Sequence, residues 1–121
     1  MDSDQIIIEI LNKIGNQVNF TYPGKEGQKH GTLEDRSVIE SANFPYAVPY
    51  WDAVDLIKFE NEKEYWMRIG YYRKPKDKLV WGTQTTITEP LSIWKKIIIQ
   101  TAKEKPWFRE LLSEVTKELF L

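Results

Sequence analysis

Residues 64–86, EYWMRIGYYRKPKDKLVWGTQTT, alternate like two β-strands on either side of a charged, proline-containing break. A two-residue period interrupted by such a break reads as an antiparallel hairpin with two chemically different faces. Each arm also carries a glycine, Gly70 and Gly82. Glycine weakens a strand interior, because it costs backbone entropy and offers no side chain to pack, so two in one hairpin imply a close approach by something else.

Pairing Arg73 with Leu79 across a five-residue loop distributes the side chains over the two faces. One face then collects Tyr65, Met67, Ile69 and Tyr71 with Trp81, Thr83, Thr85 and Ile87, and reads as the core side. The other collects Trp66, Arg68, Gly70 and Tyr72 opposite Thr86, Gln84, Gly82 and Val80. In this register Gly70 and Gly82 face each other and leave a trough walled by Trp66 and Tyr72, with Arg68 and Gln84 as polar groups. Trp66, Arg68, Gly70, Tyr72, Gly82, Gln84 and Thr86 are therefore the candidate ligand-binding residues. Two occupants suit the trough. One is the protein's own chain, a C-terminal helix or the proline-rich segment, with Arg68 paired to Asp52 or Asp55. The other is a small carboxylate or phosphate ligand, held between aromatic walls by a bidentate arginine.

The rest of the chain supplies a frame for this hairpin. Ile6, Ile7, Ile10, Leu11 and Ile14 recur at helical spacing, which predicts a helix over 3–14 stopped by Gly15. Alternation and turn residues predict strands over about 17–22, 31–40, 53–60, 64–73 and 79–88, with AVDLIKFEN, the most apolar, at the centre. SANFPYAVPYW, with Pro45 and Pro49, reads as an anchored loop. Helices follow over about 90–104, with Trp94, Ile97, Ile98 and Ala102 as its buried face, and 106–120, separated by Pro106. The second has an apolar side of Phe108, Leu111, Leu112, Val115 and Leu119, and runs on into Phe120 and Leu121. Such an end is expected to be buried, on the protein's own sheet or in a two-fold dimer.

The fold class is thus α+β: residues 1–121 form a single domain with an antiparallel sheet of about five strands, or a small open barrel, between one N-terminal and two C-terminal helices. Strand order and the turn-rich first hairpin suggest an SH3-like barrel, an analogy of fold that carries no function. At 121 residues the chain buries roughly two-thirds of its unfolded surface and needs no covalent staple.

Composition removes several chemistries. Without cysteine there is no disulfide, thiolate metal site or cysteine nucleophile. The single histidine, His30, falls in the turn-like GQKHG and lacks a second histidine for a metal site or dyad. Asp52 and Asp55 lie three apart, on opposite faces of any strand that holds both, which separates them as an acid–base pair. No phosphate-loop, dinucleotide-binding, nucleophile-elbow or zinc-protease motif occurs. No catalytic residue, metal ligand or cofactor is assigned, and a non-catalytic binding or assembly module is favoured over an enzyme.

Seventeen basic and eighteen acidic residues give a net charge of −1. That balance argues against a basic surface that wraps nucleic acid, although Arg68, Arg73, Lys74, Lys76 and Lys78 lie among aromatics in the manner of a single-strand binder. Five acids and two lysines over 52–64 read as a solvated face. The acidic start MDSDQ lacks the basic flank of a targeting peptide, and no stretch approaches the roughly 18 apolar residues of a membrane span. A soluble, cytoplasmic protein with a protein partner or self-association is expected, a small anionic ligand or single-stranded nucleic acid being the alternatives.

Overall fold

A computed structural model describes residues 3–21, 28–41, 50–74, 78–81 and 91–120. The chain divides into two compact units, Met1–Thr85 and Thr86–Leu121. The first holds helix α1 (Ser3–Leu11) and strands β1 (Gln17–Thr21), β2 (Gln28–Ser41), β3 (Tyr50–Phe59), β4 (Trp66–Arg73) and β5 (Val80–Trp81). The strands form one curled antiparallel sheet in the order β1-β2-β3-β4-β5, with β3 in the middle, as the sequence suggests. The second unit holds α2 (Leu91–Glu104) and α3 (Pro106–Leu119). The α+β class, the five antiparallel strands and the terminal helices agree with expectation. No helix among the described residues is long and apolar enough to cross a membrane.

Helix α1 ends at Leu11, three residues earlier than its periodicity implies. Asn16 and Leu33 exchange the chain into the sheet: Gly15 N–H donates to Leu33 O (2.6 Å) and Leu33 N–H to Asn16 O (2.9 Å). Gly15 adopts a positive φ of 96°, a left-handed turn suited to glycine, and Ile14 is left at the surface.

Strand β2 begins inside the expected turn, so His30 is a strand residue opposite Asn19. Strand β3 starts at Tyr50, which takes Tyr50 and Trp51 out of the expected loop; residues 42–49 lie outside the described residues. Between Leu33 and Asp35 the β2–β3 ladder slips by one residue, a bulge at Glu34. A strand's faces alternate strictly, so one extra residue reverses the assignment of everything after it. Arg36 and Val38 consequently share a face with Leu33, and Ser37 and Ile39 take the other.

The face toward α1 carries two apolar clusters. Ile6 and Ile10 of α1 pack with Val38, Trp51 and Tyr72, joined by Leu79 and Trp81. Leu33, Ile57 and Phe59 form the second, with Val18, Phe20 and Trp66 at its edge. Ser37, Ile39, Asp52 and Val54, on the opposite face, are also buried. Of the acids of 52–64, Glu60 and Glu64 are exposed as expected of a solvated face, whereas Asp52 and Asp55 are fully enclosed.

In the second unit, Ile93, Ile97 and Thr101 are the buried residues of α2. That stripe is rotated from the expected one: Trp94 and Ala102 are half-buried and Ile98 is exposed. Lys105 is extended (φ −120°, ψ 110°) and Pro106 opens α3 in its first turn, as its fixed φ and missing N–H favour. Arg109 closes the corner by donating from Nη1 to the α2 carbonyls of Ala102 (2.7 Å) and Lys103 (3.0 Å).

Removing the fully buried Ile10 side chain should loosen α1 from the sheet. Ile10→Ala is expected to cost about 2–5 kcal/mol in chemical denaturation, whereas Ile8→Ala, at an exposed position, should change stability by less than about 0.5 kcal/mol.

Candidate functional site

Strand β4 meets β5 with Tyr72 opposite Trp81 and Arg73 opposite Val80. The expected register paired Arg73 with Leu79 and is one residue out. The connecting segment is one residue longer than assumed, and Trp81 accordingly moves to the face of Gly70 and Tyr72. A Cβ on Gly70 would lie 2.2 and 2.4 Å from the Cη2 and Cζ2 atoms of Trp81. The close approach that this glycine implied is the indole of the next strand.

The inner and outer faces of the hairpin are also exchanged relative to expectation. Tyr65 and Met67, placed in the core by the assumed register, are 55% and 44% exposed, while Tyr72 is 7% exposed. Trp66, Arg68, Gly70 and Tyr72 do share one face, opposite Ile57, Asp55, Ala53 and Trp51 of β3. Gly82, Gln84 and Thr86 lie outside the described residues.

Between the two apolar clusters of this face sits Asp55, fully buried and facing Arg36 on β2 and Arg68 on β4. Arg36 donates from Nε to Asp55 Oδ1 (2.6 Å) and from Nη2 to Oδ2 (3.0 Å), a bidentate fork. Its Nη1 donates to Tyr72 Oη (3.0 Å) and Ile10 O (3.2 Å). Arg68 donates to Oδ2 from Nε (3.0 Å) and Nη2 (2.9 Å). Of the acids suggested as partners of Arg68, Asp55 is the one it takes.

Aromatic rings complete the surroundings. The Arg68 guanidinium lies 4.6 Å from the centroid of Trp81 and 5.7 Å from that of Phe20, and Arg36 lies 5.2 Å from Tyr72 and 5.5 Å from Trp81. Tyr72 and Trp81 themselves meet edge-on at 4.7 Å. Each cation sits against ring faces whose negative quadrupole partly replaces lost hydration. Burial works against the charged form of Arg36, but hydrogen bonding and charge from Asp55, with a further contribution from Tyr72, hold its pKa above the ordinary arginine value. A raised pKa stabilises the fold below the ordinary value and is lost only above it, so Arg36 introduces no pH dependence in the neutral range.

This geometry suits Asp55 to holding strands together. Four N–H donors reach its two oxygens, one on Oδ1 and three on Oδ2. Two guanidiniums share one carboxylate, so the cluster carries one excess positive charge. Arg36 is enclosed, but the Arg68 side chain is 21% exposed, and no hydrogen bond from its Nη1 is formed among the described residues.

Arg36 and Trp81 are the residues that sequence reasoning did not place here. Strict alternation from Leu33 sends Arg36 to the other face, and only the adjacent acids Glu34 and Asp35, odd within a half-buried strand, hinted at a bulge. His30 accompanies Asn19 (Nδ1 to Oδ1, 2.5 Å) and Gln17 on the neighbouring strand, away from the arginines. Comparison with protein families, curated proteins and solved structures finds no match to this chain.

Asp55→Ala would leave two inward-facing guanidiniums without their carboxylate, and is expected to cost about 3–5 kcal/mol by urea titration. Gly70→Val should be destabilising as well, because Trp81 must leave its seat. The Trp81 contribution to the near-ultraviolet circular dichroism should change with it, which checks the register directly.

Proposed function

We propose that this protein is a non-catalytic binding module that works through protein assembly, with α3 as its working surface. The observation that carries the reading is the exposure of the helix's apolar stripe. Leu111, Val115 and Leu119 succeed one another at four-residue spacing and are all exposed, and Leu119 and Phe120 reach 69% and 81%. Phe108 is the buried residue of this helix, beside a half-buried Leu112. An amphipathic helix of a globular protein ordinarily covers such a stripe, and an uncovered apolar patch marks a contact surface. The carboxylate of Asp55, shared by two arginines, is consistent with a scaffold.

A second reading has a specific observation in its favour. The excess positive charge at Arg36–Asp55–Arg68, with no hydrogen bond from Arg68 Nη1 among the described residues and the guanidinium near the Phe20 and Trp81 rings, supports a small carboxylate or phosphate ligand at Arg68. Acetate and inorganic phosphate are suitable probes. Binding should shift the Trp81 indole N–H resonance in the wild type and not in Arg68→Lys, and an indole resonance that stays fixed in both would remove this reading.

Assembly through α3 predicts that the wild-type chain sediments as more than a monomer, and that Val115→Glu with Leu119→Glu restores monomers. Because both side chains are exposed in the single chain, the thermal midpoint extrapolated to low protein concentration should be unchanged. Monomeric sedimentation of the wild type throughout the accessible concentration range would count against self-assembly.

A further inference from the structure

The second unit presents a surface that fits the α3 stripe. Ser92, Lys95, Lys96, Ile99, Gln100 and Lys103 line an open hollow along one side of α2. All six belong to a single helix, so the hollow is an open stretch of helix surface and not an enclosed cavity. It lies away from the buried row of Ile93, Ile97 and Thr101. Its centre is apolar at Ile99 and its margins are cationic at Lys95, Lys96 and Lys103.

Helix α3 carries the complement. Glu110, Glu114 and Glu118 each precede one residue of the apolar row Leu111, Val115 and Leu119, so an acidic stripe runs beside the apolar one. From Lys96 to Lys103 the helix rises about 10.5 Å, and from Glu110 to Glu118 about 12 Å, a mismatch that flexible lysine stems absorb. Among the described residues, none of these three lysines and three glutamates makes an ion pair within the chain. All six are exposed, as are Ile99 and the α3 stripe. One chain therefore does not bring its own groove and stripe together.

We infer that the partner of α3 is a second copy of this chain, and that each copy lays its Leu111–Val115–Leu119 row over Ile99 of the other's α2, with Glu110, Glu114 and Glu118 against Lys95, Lys96 and Lys103. This rests on the assembly reading above and names its contact. A patch that holds both a groove and its complement is self-complementary, and a two-fold axis satisfies it twice in one closed dimer. Opposite charge at the margins sets orientation, and the apolar row supplies burial.

Two charge-reversal variants test the contact by sedimentation equilibrium, Lys96→Glu with Lys103→Glu and Glu114→Lys with Glu118→Lys. Each alone places like charges across both contacts, and is expected to weaken self-association by at least about tenfold. Mixed together they restore opposite charges at both contacts, so dimers should return at the wild-type strength as a one-to-one heterodimer. Variants that dimerise like the wild type would overturn the α2 contact while leaving assembly intact, and would point to α3 pairing with α3. Variants that stay monomeric when mixed would also overturn it, provided their circular dichroism matches that of the wild type. A wild-type chain that never self-associates ends both this inference and self-assembly.

Discussion

Asp55 is enclosed by protein and shared by two arginines from the strands on either side of it. A carboxylate taken out of water is costly unless its oxygens are fully engaged, and so is each guanidinium. The three residues solve one another's problem only when β2, β3 and β4 stand in one register, because Arg36 and Arg68 reach Asp55 from directly opposite positions. Slipping either neighbour by a residue would turn its arginine to the other face and strand the charges. Apolar packing tolerates approximate alignment; this cluster does not. It also reaches beyond the sheet, since Arg36 holds the last turn of α1 through the Ile10 carbonyl and the tip of β4 through the Tyr72 hydroxyl.

The cluster divides the inner face into two apolar regions along β3, Trp51 and Ala53 on one side and Ile57 and Phe59 on the other. Helix α1 covers the first, and the edge residues Val18, Phe20 and Trp66 flank the second. Lys29 spans that edge, forming a salt bridge with Glu62 while its ammonium lies 4.7 Å from the Trp66 centroid. Cations on aromatic rings thus recur on this face, and they explain how a protein with little net charge accommodates arginine and lysine beside its core.

Much of the frame was readable from residue order. Helical spacing at both ends, alternation between them and proline at position 106 predicted the elements and the central place of β3. The pairing of Arg68 with Asp55 was among the options that the spacing allowed. What escaped was decided by single residues. One extra residue at Glu34 carries Arg36 inward, and one in the β4–β5 connection carries Trp81 across the sheet to Gly70. Alternation has no memory of an insertion, so a pattern of period two locates a strand well and its partner poorly. The α2 stripe was misjudged for a different reason: Ile93, Ile97, Ile98 and Ile99 offer more apolar faces than one helix can bury, and the choice among them lies in tertiary packing.

The bulge leaves Glu34 as the residue that the β2–β3 ladder does not count. Deleting that residue would leave Leu33, Asp35 and Arg36 opposite Ile57, Leu56 and Asp55 in unbroken alternation, so the residues from Asp35 to Ser41 would keep their faces. Arg36 and Val38 would stay on the face of Leu33, and Ser37 and Ile39 on the other. A point substitution at Glu34 alters only its own surroundings. Variation at this position should therefore extend to loss of the residue itself, whereas losing a paired residue such as Ser37 would turn over all that follows, a signature that separates a strand read by its register from one read by its hydrophobicity.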